Sequence, residues 1–515
     1  MGPWVACALL LCSVQTLGAA AGTESRDALQ KAAALVQQGR LDDADQQARL
    51  ALRDPDTRAV ACSVLGAIRL QQKRLGESAT FLQEAIRLEP RLVGAHLSLA
   101  QLYTLQARPE LAIGMFRRAL ELDPSNATAR VALAGLESRK GNYRRSLDLA
   151  HPVLPILKQS PDGLLILATD YLKTGDRAAA AGLIKDWSRL ADVEQAWTVK
   201  FALLLIEDGV VAAGIDLLER ASRASAPSYE LAFNLGGAYV LNGDPVRALD
   251  AYDAALSVQP DSLAALRQAA GIAERQNELE RSLSYWMRAK KIKPRDPEVL
   301  LGFGRVCLKM DLLEDADTAL VDAAALRPAD PTYQYTLAAA KVGKRQFEAA
   351  QGLLEGLVRK RPRDPQLQYA LGSVFYIQGR LPEAAERLQE SVRLQPAQLA
   401  SRYYLALVAR DQGRDAQAIE ILEALLRRYP EHAASREALG GLLMTAERYA
   451  DAETHLRKAV SLAPKSVKAN YQLGLLLART GKKEEADRQL ELAKSLRKED
   501  EATSRLQLRL LEPDR

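Results

Sequence analysis

Prolines recur in this chain at intervals of 34 residues, and this period limits the fold more than any other feature. Pro90 and Pro124 are one interval apart, and Pro260 follows Pro124 by four intervals, so one frame holds the whole series. The nine prolines in this frame are Pro90, Pro124, Pro260, Pro294, Pro328, Pro362, Pro396, Pro430 and Pro464. A constant period of this length indicates an array of small structural repeats. The length of 515 residues alone would have suggested about three globular domains.

The same frame divides residues 25–500 into fourteen repeats, whose positions are numbered here 1 to 34. Position 8 is Gly or Ala in every repeat, and position 20 is Ala, Ser or Gly. Position 8 includes Gly66, Ala100, Gly236, Gly372, Gly440 and Gly474. Two small residues twelve positions apart predict two helices that cross closely at these points, because larger side chains would force the helices apart.

Each repeat is predicted to form a pair of α-helices. Positions 4, 7, 8 and 11 lie on one face of a first helix, and positions 20, 24 and 27 lie on one face of a second. A glycine between them, as at Gly243 and Gly379, suits the left-handed turn that ends the first helix. The proline at position 32 ends the second helix, and an Asp or Ser within two residues can cap the next one. The predicted fold class is therefore all-α.

This arrangement resembles the tetratricopeptide repeat family, whose 34-residue helix–turn–helix carries Trp, Leu, Gly, Tyr, Ala, Phe, Ala and Pro at set positions. The first of these positions lacks Trp in every repeat, while the others match well across residues 25–500. The resemblance implies a right-handed α-solenoid superhelix of about fourteen repeats, in which the first helices line a concave face. It also implies a protein that binds peptides, helices or whole domains and rarely carries chemistry.

Regularity of the pattern divides the chain into five predicted segments. They are a signal peptide (1–21), N-terminal repeats (22–126), degenerate repeats (127–228), regular repeats (229–500) and a C-terminal cap or tail (501–515). In the degenerate segment, Pro152 and Pro155 fall where a second helix should run, so an irregular or shortened helix is expected near 144–157. Two interpretations are open: decay of one repeat within an intact superhelix, or a hinge that changes its curvature.

The start of the chain has the pattern of a targeting sequence. No charged side chain precedes Glu24, an apolar stretch covers residues 4–17, and small residues cover 18–21. This pattern predicts a cleaved secretory signal with cleavage near Ala20 or Ala21, and a periplasmic or secreted protein. The alternatives are an uncleaved N-terminal anchor, although the stretch is short for a bilayer span of ~20 residues, and a cytosolic protein with a mis-set start. No later segment is apolar enough to be expected to cross a membrane.

No enzymatic centre is predicted. The sequence has no glycine-rich phosphate loop, no nucleophile elbow and no His-Glu-x-x-His pattern, so catalytic residues and cofactors are expected to be none. Four scattered histidines argue against a metal site. The net charge of +5, without a run of basic residues, argues against a nucleic-acid partner. Cys62 and Cys307 lie about seven repeats apart and are expected to be buried, unpaired thiols.

The concave groove is the candidate surface for a protein or peptide partner of unknown identity. Positions 2, 5, 9 and 12 of the first helices are expected to face it. The candidate groove residues are Phe233, Arg267, Arg305, Tyr335, Tyr369, Tyr403 and Tyr471. Three of these tyrosines follow one another at 34-residue spacing, which suggests a ladder that stacks on apolar side chains or sugar rings. The arginines could receive carboxylates. The alternative is that Tyr is simply common at this position in the family.

These features predict a non-enzymatic, exported scaffold for protein–protein interactions. The Ala-, Leu- and Arg-rich composition and the signal-like start resemble bacterial periplasmic proteins. Exported members of the tetratricopeptide family often serve envelope assembly or exopolysaccharide secretion, which gives the expected setting. The alternatives are carbohydrate binding along the tyrosine ladder, with a polysaccharide as partner, and a cytosolic or membrane-anchored adaptor.

Overall fold

The computed structural model describes residues 23–191, 193–224 and 226–503. The predicted signal peptide with its cleavage site, and residues 504–515 of the predicted tail, lie outside the described residues. Contacts between residues divide the chain into two compact bodies, 1–254 and 255–515. Within the described ranges the secondary structure consists of α-helices and two short 3₁₀ turns, which confirms the all-α fold.

The helices follow one another in pairs, one pair to a repeat, except that the second helix of repeat 127–160 is divided into two. In the N-terminal body they are α1 (Thr23–Gln37), α2 (Leu41–Leu50), α3 (Arg58–Gln71), α4 (Leu75–Leu88), α5 (Val93–Leu105), α6 (Pro109–Leu122), α7 (Ala127–Arg139), α8 (Tyr143–Ala150), α9 (Leu154–Leu157), α10 (Pro161–Thr174), α11 (Arg177–Trp187), α12 (Gln195–Glu207), α13 (Val211–Ala224) and α14 (Tyr229–Leu241), with 3₁₀ turns at Ala51–Arg53 and His151–Val153. The boundary between the bodies falls within α15 (Pro245–Val258).

The C-terminal body continues the same alternation. Its helices are α16 (Leu263–Arg275), α17 (Leu279–Ile292), α18 (Pro297–Lys309), α19 (Leu313–Leu326), α20 (Pro331–Gly343), α21 (Phe347–Lys360), α22 (Pro365–Ile377), α23 (Leu381–Leu394), α24 (Leu399–Asp411), α25 (Asp415–Arg428), α26 (Ala433–Thr445), α27 (Tyr449–Leu462), α28 (Val467–Arg479) and α29 (Lys483–Thr503). Each first helix here packs against its own second helix, and each second helix up to α27 packs against the first helix that follows. Neighbouring repeats therefore share one continuous core, as in an α-solenoid.

Small residues at position 8 let the two helices of a repeat approach closely, as predicted. A Cβ added to Gly66 would lie 2.5 Å from Cγ of Leu82 at position 24, and one added to Gly440 would lie 2.6 Å from Cγ of Leu456. Position 20 also contacts position 8. In three repeats the residue at position 20 is a serine, and its hydroxyl donates a hydrogen bond to the backbone carbonyl of position 8. These pairs are Ser78–Gly66 at 2.7 Å, Ser146–Ala134 at 2.8 Å and Ser282–Ala270 at 2.8 Å. The recurring small residues thus follow from the helix crossing.

Position 15 ends the first helix with a left-handed residue in all fourteen repeats. Eight of these residues are the predicted glycines, with φ from 73° to 91°; the other six have φ from 54° to 61°. The six are Lys73, Ala107, Asn277, Asp311, Arg345 and Glu447. A side chain in this region costs about 1–2 kcal/mol, whereas glycine has no such penalty.

Substitutions at position 15 should therefore change stability in opposite directions. We expect Ala107→Gly to raise the free energy of unfolding by about 0.5–1 kcal/mol, because the relief of strain exceeds the added freedom of the unfolded chain. Gly243→Ala should lower it by a similar amount, since φ is 73° and nothing lies within 4 Å of the added Cβ. Urea unfolding, monitored by circular dichroism, measures the free energy of unfolding of both variants. Changes of the same sign would show that the left-handed turn is not their cause.

The second helix of repeat 127–160 is broken where its two prolines occur. Helix α8 ends at Ala150, a 3₁₀ turn covers His151–Val153, and α9 spans only Leu154–Leu157. This confirms the irregular helix expected near 144–157. Proline causes such breaks because it lacks the backbone N–H and its ring clashes with the preceding turn. A hinge role for this segment stays a prediction.

Candidate functional site

First helices of successive repeats contact one another in the C-terminal body, as α16 contacts α18 and α22 contacts α24. They form what is called here the first-helix layer, made of α16, α18, α20, α22, α24, α26 and α28. Six of the seven candidate groove residues lie on this layer, at the expected positions. The seventh, Phe233, lies on α14 in the N-terminal body, where its ring centroid is 5.5 Å from those of Tyr229 and Tyr252.

Both candidate arginines already bind carboxylates of their own chain. Arg267 forms an ion pair with Glu298. Arg305 binds the buried Glu274, with Nη2 2.6 Å from Oε2 and Nε 2.8 Å from Oε1, and Lys309 lies 3.2 Å from Oε1 of the same carboxylate. Each arginine already pairs with a carboxylate of a neighbouring repeat, and a ligand carboxylate would have to displace that carboxylate first. These ion pairs therefore connect neighbouring repeats and do not offer free cations to a partner.

A contact between position 5 of one repeat and position 2 of the next recurs along the layer. Besides Arg267 and Glu298, Gln366 Nε2 donates a 2.8 Å hydrogen bond to the Tyr335 hydroxyl, and Lys468 lies 2.8 Å from Glu437. The two positions are 31 residues apart and carry complementary side chains each time. The sequence reasoning missed this contact, although that spacing was a signal that could have revealed it.

The tyrosine ladder is not an open stripe, which corrects the expectation for its middle member. Tyr369 is fully buried, and its ring centroid lies 5.9 Å from that of Tyr404. Tyr335 is largely enclosed, and burial raises its pKa to about 12. Tyr403 is half-buried, whereas Tyr471, on the last helix of the layer, is 50% exposed. A sugar ring therefore could not stack on three successive tyrosines in this conformation.

The structure instead shows an aromatic group, the tyrosine cluster, at the contact of α22, α24 and the start of α26. Its members are Tyr369, Tyr376, Tyr403, Tyr404 and His432. Their ring centroids are 5.4–5.9 Å apart and their planes are inclined by 69–82°, the edge-to-face geometry that aromatic rings favour. Sequence reasoning identified only two of these five residues as site candidates, because it sought aromatic residues at position 5 alone.

A charged pair lies at the solvent edge of the tyrosine cluster. The Tyr376 hydroxyl donates to Oδ2 of Asp411 at 2.8 Å, and Arg410 Nε donates to Oδ1 at 2.7 Å. Burial disfavours the ionised form of Asp411, but hydrogen bonds from Arg410 and Tyr376 outweigh it and lower the pKa of this carboxyl. Burial, and then the hydrogen bond to Asp411, raises the pKa of Tyr376. The group thus presents fixed rings beside a carboxylate that is ionised at neutral pH.

Sequence models of the tetratricopeptide repeat match more than half of the chain. The matches cover residues 95–128, 199–262, 242–297, 335–399, 378–433, 403–467 and 437–493. The chain belongs to the tetratricopeptide repeat family. This confirms the resemblance drawn from the proline frame. Tetratricopeptide proteins are generally non-catalytic scaffolds for protein–protein interaction, and the fold therefore supports protein partners for this chain.

The individual proteins to which this chain is similar are distant in sequence. The Protein CTR9 homolog of Arabidopsis thaliana is 21% identical over 290 residues, which is 54% of this chain but only 26% of that protein. The crystal structure of the APC/C hetero-tetramer Cut9–Hcn1 has 13% identity and a TM-score of 0.41, covering 91% of this chain and 99% of that chain. Yeast Tom70 has 15% identity and a TM-score of 0.38, covering 86% and 97%.

None of the helices among the described residues is both long enough and apolar enough to cross a bilayer. No group of three or more His, Cys, Asp or Glu side chains in residues 23–191, 193–224 and 226–503 is placed to hold a metal ion.

Cys62 and Cys307 are buried free thiols, as predicted. Burial, and then the charge of Asp315, raises the pKa of Cys307 to about 12. Because the thiolate is the reactive form, we expect Cys307 to resist iodoacetamide in the native protein at mildly alkaline pH and to react once guanidinium unfolds the chain. Peptide mapping by mass spectrometry reports this cysteine separately, and an exposed Thr454→Cys variant serves as the reactive control. Equal labelling of Cys307 and of the cysteine introduced by Thr454→Cys, in the folded protein, would contradict the prediction.

Proposed function

We propose that this chain is an exported, non-enzymatic tetratricopeptide scaffold that holds a protein partner against the first-helix layer of its C-terminal body. The tyrosine cluster is the observation that carries this proposal. Rings fixed by edge-to-face contacts offer a large contact area at little cost in side-chain entropy. Tyr and Arg are also the residue types that dominate binding energy at protein interfaces. Tyr403, Tyr376 and Arg410 supply these types at the surface of the layer.

The test compares partner recovery by variants of the cluster. Crosslinking and pull-down from the native host are carried out with the native chain, Tyr403→Ala and Tyr376→Phe, which keeps the ring but removes the hydroxyl that binds Asp411. Gln389→Ala, on the exposed side of α23, is the matched control. We expect Tyr403→Ala to reduce recovery by about tenfold or more, a typical effect for an interface anchor.

Two controls make the result interpretable. Circular dichroism and thermal unfolding must show that each variant keeps its helices. Equal recovery by all four proteins would mean that the cluster only stabilises contacts between repeats. Retention on a polysaccharide column that is lost in Tyr403→Ala, without loss of any protein partner, would favour a glycan ligand instead.

Export is proposed from the start of the sequence, where an apolar stretch at 4–17 is followed by small residues at 18–21. The expected setting is envelope assembly or exopolysaccharide secretion. N-terminal sequencing of the protein recovered from the periplasm or the medium should begin at residue 21 or 22. A chain that still begins at Met1 in the membrane fraction would indicate an anchor, and one found in the cytosol would contradict export.

A further inference from the structure

We propose that a cavity at the broken second helix of repeat 127–160 binds one basic side chain, arginine or lysine, of a protein partner. The cavity has a volume of about 370 Å³, and ligand pockets in proteins span ~300–1,000 Å³. A cavity at the small end of this range suits a single side chain better than a whole cofactor. It lies in the N-terminal body and shares no residue with the tyrosine cluster, so this inference goes beyond the function proposed above.

The cavity lies across the break in the helix. Every part of the interrupted helix contributes to its lining, together with the first helix of the next repeat, which packs against α8. The lining residues are Leu147 and Asp148 of α8, His151 and Pro152 of the 3₁₀ turn, Leu154 of α9 and Tyr171 of α10. A 3₁₀ turn is wound more tightly than an α-helix. The change from one to the other therefore redirects successive side chains, and those on both sides of the break surround one hollow.

Three of the lining residues bring polar groups to the cavity that the chain itself leaves unused. The Asp148 carboxylate, the His151 imidazole and the Tyr171 hydroxyl have no hydrogen-bond or ion-pair partner among the described residues. Arg144 lies one helical turn before Asp148 on α8, yet the two form no ion pair in the described part of the chain. These three polar groups are therefore free to contact a ligand.

The proline that breaks the helix also takes the place of a cation that could pair with Asp148. Asp148 is at position 22 of its repeat, and Asp216 is at position 22 of another. Asp216 forms a 2.8 Å ion pair with Arg220, four residues further along the same helix. Four residues after Asp148 the chain has Pro152, which has no side-chain donor. The same substitution thus shapes the cavity and leaves a carboxylate in its lining unpaired.

The lining matches a side chain with an apolar stem and a positively charged end. Asp148 carries the formal charge of the lining at pH 7, where histidine is counted as neutral. Guanidinium and ammonium groups donate several hydrogen bonds and accept none, whereas the carboxylate, the imidazole and the tyrosine hydroxyl can all accept. Leu147 and Leu154 supply apolar surface for the methylene groups of the stem. The half-buried ring of Tyr171 can attract the cation through its face.

Other classes of ligand fit the lining less well. A phosphate or carboxylate would be repelled by Asp148, and none of the described residues that line the cavity is a lysine or an arginine. A metal ion would find two ligands of the usual kinds, Asp148 and His151, and the described residues hold no group of three. A wholly apolar side chain would remove the carboxylate from water without giving it a partner, which costs free energy.

The first experiment measures the binding of a single basic side chain to the full chain. N-acetyl-arginine amide is titrated at neutral pH and followed by ligand-observed NMR. N-acetyl-citrulline amide, which has nearly the same shape without the charge, is the neutral comparison. We expect the arginine amide to bind with a Kd of about 1 mM, which a ligand of this size can reach. The citrulline amide should bind about tenfold more weakly or worse, because it cannot pair with the carboxylate.

Substitution of the carboxylate shows whether this binding occurs in the cavity. Asp148→Asn should weaken binding of the arginine amide by about tenfold and remove its advantage over citrulline, because the charge is lost and the shape is kept. Asp250→Asn is the matched control, since Asp250 is also exposed and occupies position 22 of the uninterrupted α15. Circular dichroism checks that both variants fold. Absence of binding, equal affinity for the two amides, or an equal effect of the two substitutions would each overturn the proposal.

The second experiment tests whether the basic side chain belongs to a protein partner. A photo-crosslinking amino acid replaces Ile156, which is 48% exposed and lies two residues after Leu154 on α9. In the matched control it replaces Val258, which is 44% exposed and has the same position 30 in repeat 229–262. Both chains are expressed in the native host, with and without Asp148→Asn, and the adducts are sequenced by mass spectrometry.

We expect residue 156 to form an adduct with a protein segment that carries Arg or Lys near the crosslink. This adduct should be missing at residue 258 and should fall about tenfold in Asp148→Asn. A segment without a basic residue, a lipid, a segment of this same chain, or an adduct that persists in Asp148→Asn would overturn the proposal. Tyr403→Ala leaves this cavity intact, so its failure and that of the first-helix site can be distinguished.

Discussion

Gly163→Ala is expected to lower the free energy of unfolding by about 2–3 kcal/mol, the upper part of the range for overpacked sites. A Cβ at this position would lie 2.1 Å from the carbonyl oxygen of Leu157 and 2.8 Å from its carbonyl carbon. Both atoms belong to the backbone, so no side-chain rotation can relieve the contact. Denaturant unfolding should show the loss, and hydrogen exchange should show reduced protection in α8 and α10.

Gly182→Ala is the matched control for this substitution. Gly182 lies on α11, one helix further along, and nothing lies within 4 Å of an added Cβ. The same change there should stabilise the protein by about 0.5–1 kcal/mol, because Ala is a better helix former than Gly. If the two variants had equal stability, the close approach of α9 and α10 would not limit the size of the side chain at residue 163.

The reason for this contact is the broken second helix. Position 3 is Gly only in the repeat that follows the break, and elsewhere it carries a side chain, as at Ala129 and Leu231. The short α9 ends at Leu157, directly against the first turn of α10, where Ser160 caps the helix and accepts a 3.1 Å hydrogen bond from the Gly163 N–H. The prolines and this glycine thus form one local solution, in which the shortened helix is packed tightly.

Much of the fold could be predicted from sequence because each repeat imposes the same requirements. The close crossing at Gly66 and the left-handed turn at Gly243 depend on contacts within one repeat, and these contacts recur at a fixed spacing. Such requirements leave the same residue type at the same position many times. The break at Pro152 was equally predictable, because proline disrupts a helix whatever surrounds it.

The candidate site was predicted less well because it depends on contacts between repeats. Tyr369 and Tyr403 share position 5, yet Tyr369 is fully buried and Tyr403 is half-buried. The difference arises at position 6 of the next repeat, where Tyr404 contacts the ring of Tyr369. A register argument treats every position 5 alike, whereas burial depends on which side chain the neighbouring repeat supplies.

Asp170→Asn is expected to make the protein more stable at neutral pH and to leave its stability at acid pH almost unchanged. Asp170 is fully buried on α10; Ser138 Oγ donates a 2.6 Å hydrogen bond to its Oδ1, while its Oδ2 has no hydrogen-bond partner among the described residues. Burial outweighs the lowering effects of Ser138 and Ser146 and raises the pKa of the carboxyl. A buried carboxylate with incomplete hydrogen bonds costs more free energy than a buried neutral amide with incomplete hydrogen bonds.

The sign follows from which state binds the proton. Between the unfolded pKa of about 3.9 and the raised folded pKa, the folded chain binds a proton that the unfolded chain has lost. Asp170 therefore makes the free energy of unfolding fall as pH rises through this window. The gain of Asp170→Asn over the native chain should grow across the same window and then remain constant. Thermal unfolding of both proteins over a series of pH values measures it.

Asp411→Asn provides the opposite control, because the pKa of Asp411 is lowered in the folded protein. Its contribution to stability is present above the unfolded pKa and is lost as pH falls through the folded pKa. This variant should therefore be less stable than the native chain at neutral pH and approach it in acid. Opposite pH trends for the two variants would attribute each effect to its own carboxyl, since a general change in net charge would shift both in the same direction. A gain for Asp170→Asn that is constant from acid to neutral pH would instead assign its effect to packing.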